Sequence, residues 1–345
     1  MENPLIKISF FIILTVYSVA LLFIFLYSMA QLHLVFQYLF RKKNHGILAQ
    51  DMDNNEAGQI PFVSVQLPIF NEKLVAERLI DAIARFDYPI HKFEIQILDD
   101  STDETYDIIA ERAQFWKDKG FNIHHIHRTD RTGFKAGALA NGLQLAKGTF
   151  IAIFDADFLP ESDFLKKTIP HFSNPEIGMV QSRWEHINKD HSLLTKMQAF
   201  GLDGHFVVEQ SGRNNSNSYI NFNGTAGVWR KECIEDSGNW NFDTLTEDLD
   251  LSYRAQMKGW KFIYLEDVCS PAELPPVMSA LKSQQYRWTK GGAETAKKHF
   301  WKVVKLDIPF KTKFHATFHL LNNLIFICII SSAIASVPLV YFKHQ

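Results

Sequence analysis

The sequence predicts an α/β fold built on a mainly parallel sheet and flanked by transmembrane helices. Strand-like and helix-like runs alternate from residue 62 to residue 154, carboxylates collect where the strand-like runs end, and both ends of the chain are almost wholly apolar. Alternating β and α runs imply parallel strands covered by helices. Ligands of such open sheets bind beyond the carboxyl ends of the strands. With 345 residues, 46% of them hydrophobic, the chain has material for one large or two average domains beside its membrane segments.

Residues 1–43 form the first unit. From Leu5 to Phe40 little more than Lys7, Gln31 and Gln37 interrupts the apolar run, which exceeds the roughly 20 residues that span a bilayer. It reads as a transmembrane helix, because a cleaved signal peptide has a shorter apolar stretch and a small-residue cleavage site. Arg41, Lys42 and Lys43 follow directly, and clustered positive charge marks a cytoplasmic flank. The domain beyond is therefore expected in the cytosol, in a multi-pass protein of the cell or inner membrane. Residues 44–61, with Asp51, Asp53, Asn54, Asn55, Glu56 and Gly58, read as a solvated linker.

The domain at 62–295 opens with Val63-Ser64-Val65-Gln66-Leu67, which alternates like a strand, and a helical pattern through Leu79, Ile80, Ile83 and Phe86. A second strand, Glu94 to Leu98, ends at Asp99-Asp100 and leads to a helix from about Thr102 to Lys119. A third strand at Ile123 to Ile126, a helix from Lys135 to Ala146 and a fourth strand, Phe150 to Phe154, complete the alternation. Residues 296–319, with Lys297, Lys298, Phe300, Trp301 and Lys302, suggest an interfacial helix on the cytoplasmic leaflet, in contact with membrane lipid. Residues 320–345 hold a second apolar run, broken mainly by Asn322 and Asn323, that reads as another span.

Some functions are disfavoured by composition. A net charge of −2 without a dense basic stripe argues against nucleic acid. Cys233, Cys269 and Cys328 show no C-x-x-C spacing and read as reduced structural thiols. His124, His125 and His127 cluster near a strand, and His315 and His319 have helical i,i+4 spacing. With no third ligand apparent for either group, both read as surface or interfacial histidines rather than zinc ligands.

Several segments could carry chemistry. Asp155-Ala156-Asp157 puts two carboxylates at a strand exit, a hard-oxygen set suited to Mg²⁺ or Mn²⁺ with substrate phosphates. Two aspartates in a turn are also common caps. In Asp99-Asp100-Ser101-Thr102-Asp103-Glu104, Ser101 and Glu104 match a capping box. The adjacent carboxylates of Asp99 and Asp100 repel one another unless a cation or a nucleotide uses them. Lys135 opens a helix where backbone amides also favour an anion. The glycines of Asn221-Phe222-Asn223-Gly224-Thr225-Ala226-Gly227 permit close backbone approach or an ordinary turn. Thr246-Glu247-Asp248 starts a helix, with Thr246 as its cap and Asp248 free to act as a base. Gln284, Arg287 and Trp288 share one helix face, offering an amide, a cation and an aromatic plate.

In order, Asp99-Asp100, Asp155-x-Asp157, Thr246-Glu247-Asp248 and Gln284-x-x-Arg287-Trp288 form a D, D×D, TED, Q××RW series. The series resembles the family 2 glycosyltransferases that polymerise β-linked polysaccharides. Phe134-Lys135-Ala136-Gly137-Ala138-Leu139 and Phe222-Asn223-Gly224-Thr225-Ala226-Gly227-Val228-Trp229-Arg230 look most like cellulose synthase-like mannan and glucomannan synthases. The resemblance covers most of 62–299 and implies a GT-A type nucleotide-sugar-binding domain. It implies that Glu72, Asp99, Asp100 and Lys135 recognise the donor nucleotide, and that Asp155 and Asp157 hold its diphosphate directly and through Mg²⁺ or Mn²⁺. Asp248 would be the catalytic base, with Gln284, Arg287 and Trp288 framing the acceptor and the leaving diphosphate. The implied reaction is inverting transfer of a hexose from GDP-mannose or UDP-glucose to a growing β-linked polysaccharide acceptor. The alternatives are a non-processive transferase to a lipid or short glycan, or a silent sugar-nucleotide-binding subunit. Processive members carry several membrane helices after Q××RW, against one apolar run here. That difference leaves open a truncated chain, assembly as a homo- or hetero-oligomer, or transfer without translocation.

Overall fold

The computed structural model describes residues 4–40 and 60–343. The basic flank at 41–43 and most of the linker expected at 44–61 lie outside them. The chain runs α1 (Pro4–Phe40), β1 (Val63–Ile69), α2 (Ala76–Ala84), β2 (Phe93–Asp99), α3 (Thr105–Asp118), β3 (Ile123–His127), α4 (Phe134–Leu145) and β4 (Phe150–Ile153). This is the expected alternation. It continues with α5 (Phe164–Thr168), β5 (Ile177–His186), α6 (Leu193–Asp203), a π-helical stretch at Gly204–Gln210, α7 (Ser211–Asn215), β6 (Gly227–Arg230) and α8 (Lys231–Asp236). Last come α9 (Glu247–Met257), β7 (Lys261–Ala272), α10 (Met278–Lys305), α11 (Phe310–Leu320) and α12 (Leu324–Lys343).

Among the described residues, seven strands form one sheet in the order β3-β2-β1-β4-β6-β5-β7. Only β6 runs antiparallel to its neighbours; the other pairs are parallel. From β1 the order goes outward to β2 and β3 on one side and jumps to β4 on the other. The gap between β1 and β4 is thus a topological switch point, where open α/β sheets bind ligands. Strand alternation supplies a core on each face. Val65, Leu67, Ile95, Ile97 and Phe154 pack with α2, α3 and α5. Ile151, Ile153, Met179 and Trp229 pack with α4, α8 and α9.

Several local expectations change. Ser101 and Glu104 do not form a capping box: α3 starts at Thr105, Ser101 Oγ accepts the Asn71 amide at 3.0 Å, and Glu104 pairs with Lys73 at 2.7 Å. Thr246 does occupy the position before α9, but its hydroxyl meets Thr295 of α10 at 3.1 Å and caps nothing. The boundary expected at 295/296 falls inside α10, so Lys297 to Lys302 continue the helix that carries Gln284 and Trp288.

α1 and α12 are long and apolar enough to cross a membrane, and they pack against each other. The last part of α1 instead docks on the domain. Ala30 and Leu34 are buried, Asn215 of α7 donates to the Gln37 carbonyl at 3.3 Å, and His33 meets His315 of α11 at 2.8 Å. His315 and His319 are therefore junction residues: His319 Nδ1 lies 2.9 Å from the Tyr253 hydroxyl.

Candidate active site

The loops after β1 and β4 bring Glu72, Asp155 and Asp157 to the two sides of the switch point. Burial first, and then the charges of Asp155 and Glu72, push the Asp157 carboxyl up to about 7. Burial and Asp155 also raise Glu72 above the usual carboxylate range. Three carboxylates that disfavour one another's charge, with one lysine beside them, fit a divalent cation bound with substrate oxygens.

That lysine is Lys135, from the first turn of α4. Its ammonium lies 2.5 Å from Asp155 Oδ1 and donates to the Gly224 carbonyl at 3.0 Å. Burial works against its charge, but Asp155, Glu247 and Asp248 outweigh burial and hold it above its ordinary value. Gly224, in the 221–227 loop, has φ +81°, and a Cβ there would stand 3.2 Å from Asp248 Oδ2 and 3.5 Å from Lys135 Nζ. The positive φ favours glycine, and a Cβ would press on the Asp248 carboxylate. Thr225 fixes the other side of the loop by accepting the Asp155 amide at 2.8 Å.

Asp248 sits in the first turn of α9, with Oδ1 accepting the Leu249 amide at 2.7 Å. Burial, reinforced by Glu247, raises its carboxyl well above the ordinary range. Burial also raises Glu247, against the pull of Lys135 and Arg287. Asp248 borders a cavity of about 340 Å³ whose walls include Asn223, Trp184, Trp288, His319 and Asn323. Phe326 of the apolar helix α12 closes one side.

Of the residues expected around the acceptor, Trp288 lines this cavity. Gln284 does not; its neighbour Gln285 does. Arg287 is exposed and acts on Glu247 electrostatically. The helix is held close at Gly291, where a Cβ would come within 2.9 Å of the Thr246 backbone nitrogen. A second tie was not anticipated: fully buried Asp250 of α9 receives Arg254 at 2.8 Å and, from α10, Lys298 and His299 at 2.7 Å each. These partners outweigh the cost of burial and hold Asp250 far below the usual carboxylate range.

The pair Asp99-Asp100 divides. Asp100 forms a two-point ion pair with Arg128, at 2.8 and 2.6 Å. Asp99 faces away from it, toward His125 and His127. The split follows from alternation along an extended chain: Asp99 ends β2 and Asp100 follows it, so their side chains point to opposite sides. Beside Asp100, the Arg131 guanidinium lies over the Phe70 ring, 3.2 Å from its centroid. Neither Phe70 nor Arg131 stood out in the sequence. Trp184, His319 and Asn323 were also missed as cavity walls, because they come from distant elements with no shared motif.

A switch-point cluster of carboxylates, a lysine bridging to a glycine loop and a buried acid facing a separate cavity define a GT-A glycosyltransferase. Sequence profiles agree: Glycosyl transferase family 2 matches residues 64–234, and Glycosyl transferase family group 2 matches 150–343. The chain belongs to glycosyltransferase family 2. It is 36% identical to glucomannan 4-beta-mannosyltransferase 1 of Cyamopsis tetragonoloba, over 99% of this chain and 68% of that protein. Identity with glucomannan 4-beta-mannosyltransferase 2 of Arabidopsis thaliana is 43%, over 73% of this chain and 49% of the relative. The chain thus spans 68% of the first relative and about half the length of the second. Among solved structures, a Pyrobaculum calidifontis mannosyltransferase in complex with GDP-Man and Mn²⁺ superposes with a TM-score of 0.72, at 20% identity, covering 93% of this chain and 85% of that one. At that identity the likeness shows the fold.

Proposed function

We propose that the chain is a membrane-bound, inverting hexosyltransferase that moves a hexose from GDP-mannose or UDP-glucose to a growing β-linked polysaccharide. The observation that carries this is the position of Asp248, which meets the Gly224 loop and Lys135 on one side and the cavity with Trp288 on the other. A base there has the donor before it and the acceptor behind. The printed activities of the relatives, glucomannan 4-beta-mannosyltransferases, favour mannose as the hexose and a mannan or glucomannan product.

In this reading Asp100, Arg131 and Phe70 hold the nucleotide, and Lys135 meets the phosphates. Asp155 and Asp157 would hold Mg²⁺ or Mn²⁺, which when bound offsets the negative charge of the leaving diphosphate. The acceptor hydroxyl stacks against Trp288 through its sugar ring and gives its proton to an Asp248 carboxylate oxygen as its own oxygen bonds to the anomeric carbon. The bond from that carbon to the diphosphate breaks, and the electron pair leaves with the diphosphate. Attack opposite the leaving group inverts the α-linked donor to a β-linked product. The packing of α1 against α12 supports a membrane anchor that the two apolar helices share, with the site on the cytosolic face. Phe326 of α12 lines the cavity, so the acceptor side of the site adjoins the apolar helix.

The test is product analysis with the full chain in detergent, radiolabelled GDP-mannose or UDP-glucose, and Mn²⁺ or Mg²⁺. Transfer into material digested by β-mannanase or β-glucanase is expected. A product restricted to short glycolipid would replace the polymer reading, and donor hydrolysis without transfer would end the transferase reading.

A further inference from the structure

β2 and β3 carry a second set of ligating atoms away from the donor edge. β3 is the edge strand, and His125 and His127, two residues apart, project to the same face. The parallel register pairs Asp99 with His127 and Ile97 with His125, so the Asp99 carboxylate joins them there. Asp99 Oδ1 accepts the Ser101 amide at 2.8 Å. This leaves Oδ2 to face His125 Nε2 at 2.8 Å and His127 Nδ1 at 3.3 Å.

We propose that Asp99, His125 and His127 form a zinc site, distinct from the carboxylates at the switch point. Their three ligand atoms all lie within 4.8 Å of one another. Ligands about 2.0 Å from a tetrahedral zinc stand about 3.3 Å apart, so small rotations bring all three to bonding distance. The ring of Tyr106 packs on both imidazoles, with centroids 5.0 Å from His125 and 4.8 Å from His127, and limits their swing. The Asp99 side chain is fully buried, whereas His127 is 30% exposed. The side opposite Asp99 is thus left to a solvent ligand, the arrangement of a three-ligand zinc centre. Two imidazoles select a borderline-soft cation such as Zn²⁺, while the all-oxygen set of Asp155 and Asp157 suits Mg²⁺ or Mn²⁺. One surface can therefore sort two metals by ligand type. The third ligand escaped sequence reasoning because Asp99 precedes the histidine cluster by a helix and its loops.

The full chain in detergent, stripped with a chelator and dialysed, is titrated with Zn²⁺ by calorimetry and with Co²⁺ by visible absorption. One tight zinc per chain and a tetrahedral Co²⁺ spectrum are expected. Both persist when Asp155 and Asp157 are changed to Asn. His127→Gln and, separately, His125→Gln weaken zinc binding by about tenfold or more and remove the spectrum, with thermal melts confirming that each variant is folded. The assignment is overturned if the stripped chain takes up no zinc, if zinc follows Asp155 and Asp157, or if folded His127→Gln binds it unchanged.

Discussion

Asp248 and Lys135 illustrate how a few buried charges set the character of a site. Lys135 feels three carboxylates, Asp155, Glu247 and Asp248, yet pairs directly only with Asp155, so Asp248 is left without a full counter-charge. Because burial and Glu247 raise the Asp248 carboxyl, the base loses its proton only well above the ordinary carboxylate value of about 4. The acidic limb of kcat/KM should therefore fall far above pH 4, reporting the coupled acids as a set. A limb at pH 4 would remove a raised base from the mechanism. Asp248→Asn should lower kcat by about 10²–10⁴-fold while nucleotide binding, followed by calorimetry, persists. Unchanged turnover would exclude Asp248 as the base. Lys135 was ambiguous in the sequence, where a helix-start lysine is as easily solvated as bound. The fold sets it against Asp155 and the Gly224 loop, contacts that no local pattern foretells. Asp99 shows the opposite case, since the partners it meets, His125 and His127, depend on which way the strand turns it.

The elements were legible where periodicity was regular. Four strands and their helices from residue 63 to residue 153 follow the hydrophobic alternation closely. β6 and β7 did not announce themselves. β6 is only four residues long, and β7 carries Glu266, Asp267, Ser270 and Pro271 and shifts register against β5 beyond Ser182. Its pairing is set by β5, so no local pattern reveals it. The contact of α9 with α10 was equally hidden, because it rests on Asp250 meeting Lys298 and His299 from a distant part of the chain. This clamp ties α9, which carries Asp248, to α10, which carries Trp288. Asp250→Ala removes the buried acceptor that Arg254, Lys298 and His299 share and should cost about 3–5 kcal/mol of stability, measured by chemical denaturation. Asp250 is depressed in the folded state, so its contribution is fully present above its unfolded pKa near 4 and is lost as acid takes the folded group through its own pKa. Between pH 5 and 8 the difference between wild type and variant should stay constant from this group, and a loss under about 1 kcal/mol would mean that the clamp is ornamental to stability.

At the scale of the whole molecule, the apolar helix α1 is joined to the domain by packing as well as by the chain. Leu34 is 2% exposed and sits under α7, which continues through the π-helical stretch and α6. Leu34→Ala should cost about 2–5 kcal/mol at this joint, seen as faster amide exchange through residues 204–215 in lipid nanodiscs. Exchange that stays the same would make α1 a tether alone. The sequence made the apolar run plain, but not its docking, because lipid and a protein groove favour the same residues. The length of α1 carries a further consequence. At about 1.5 Å of rise per residue, its 37 residues extend about 55 Å, against a hydrocarbon layer about 30 Å thick. The turns beyond one bilayer thickness are those bolted to the domain at Leu34 and Gln37, so with α1 across a bilayer the height of the site above it would be set by counting helical turns.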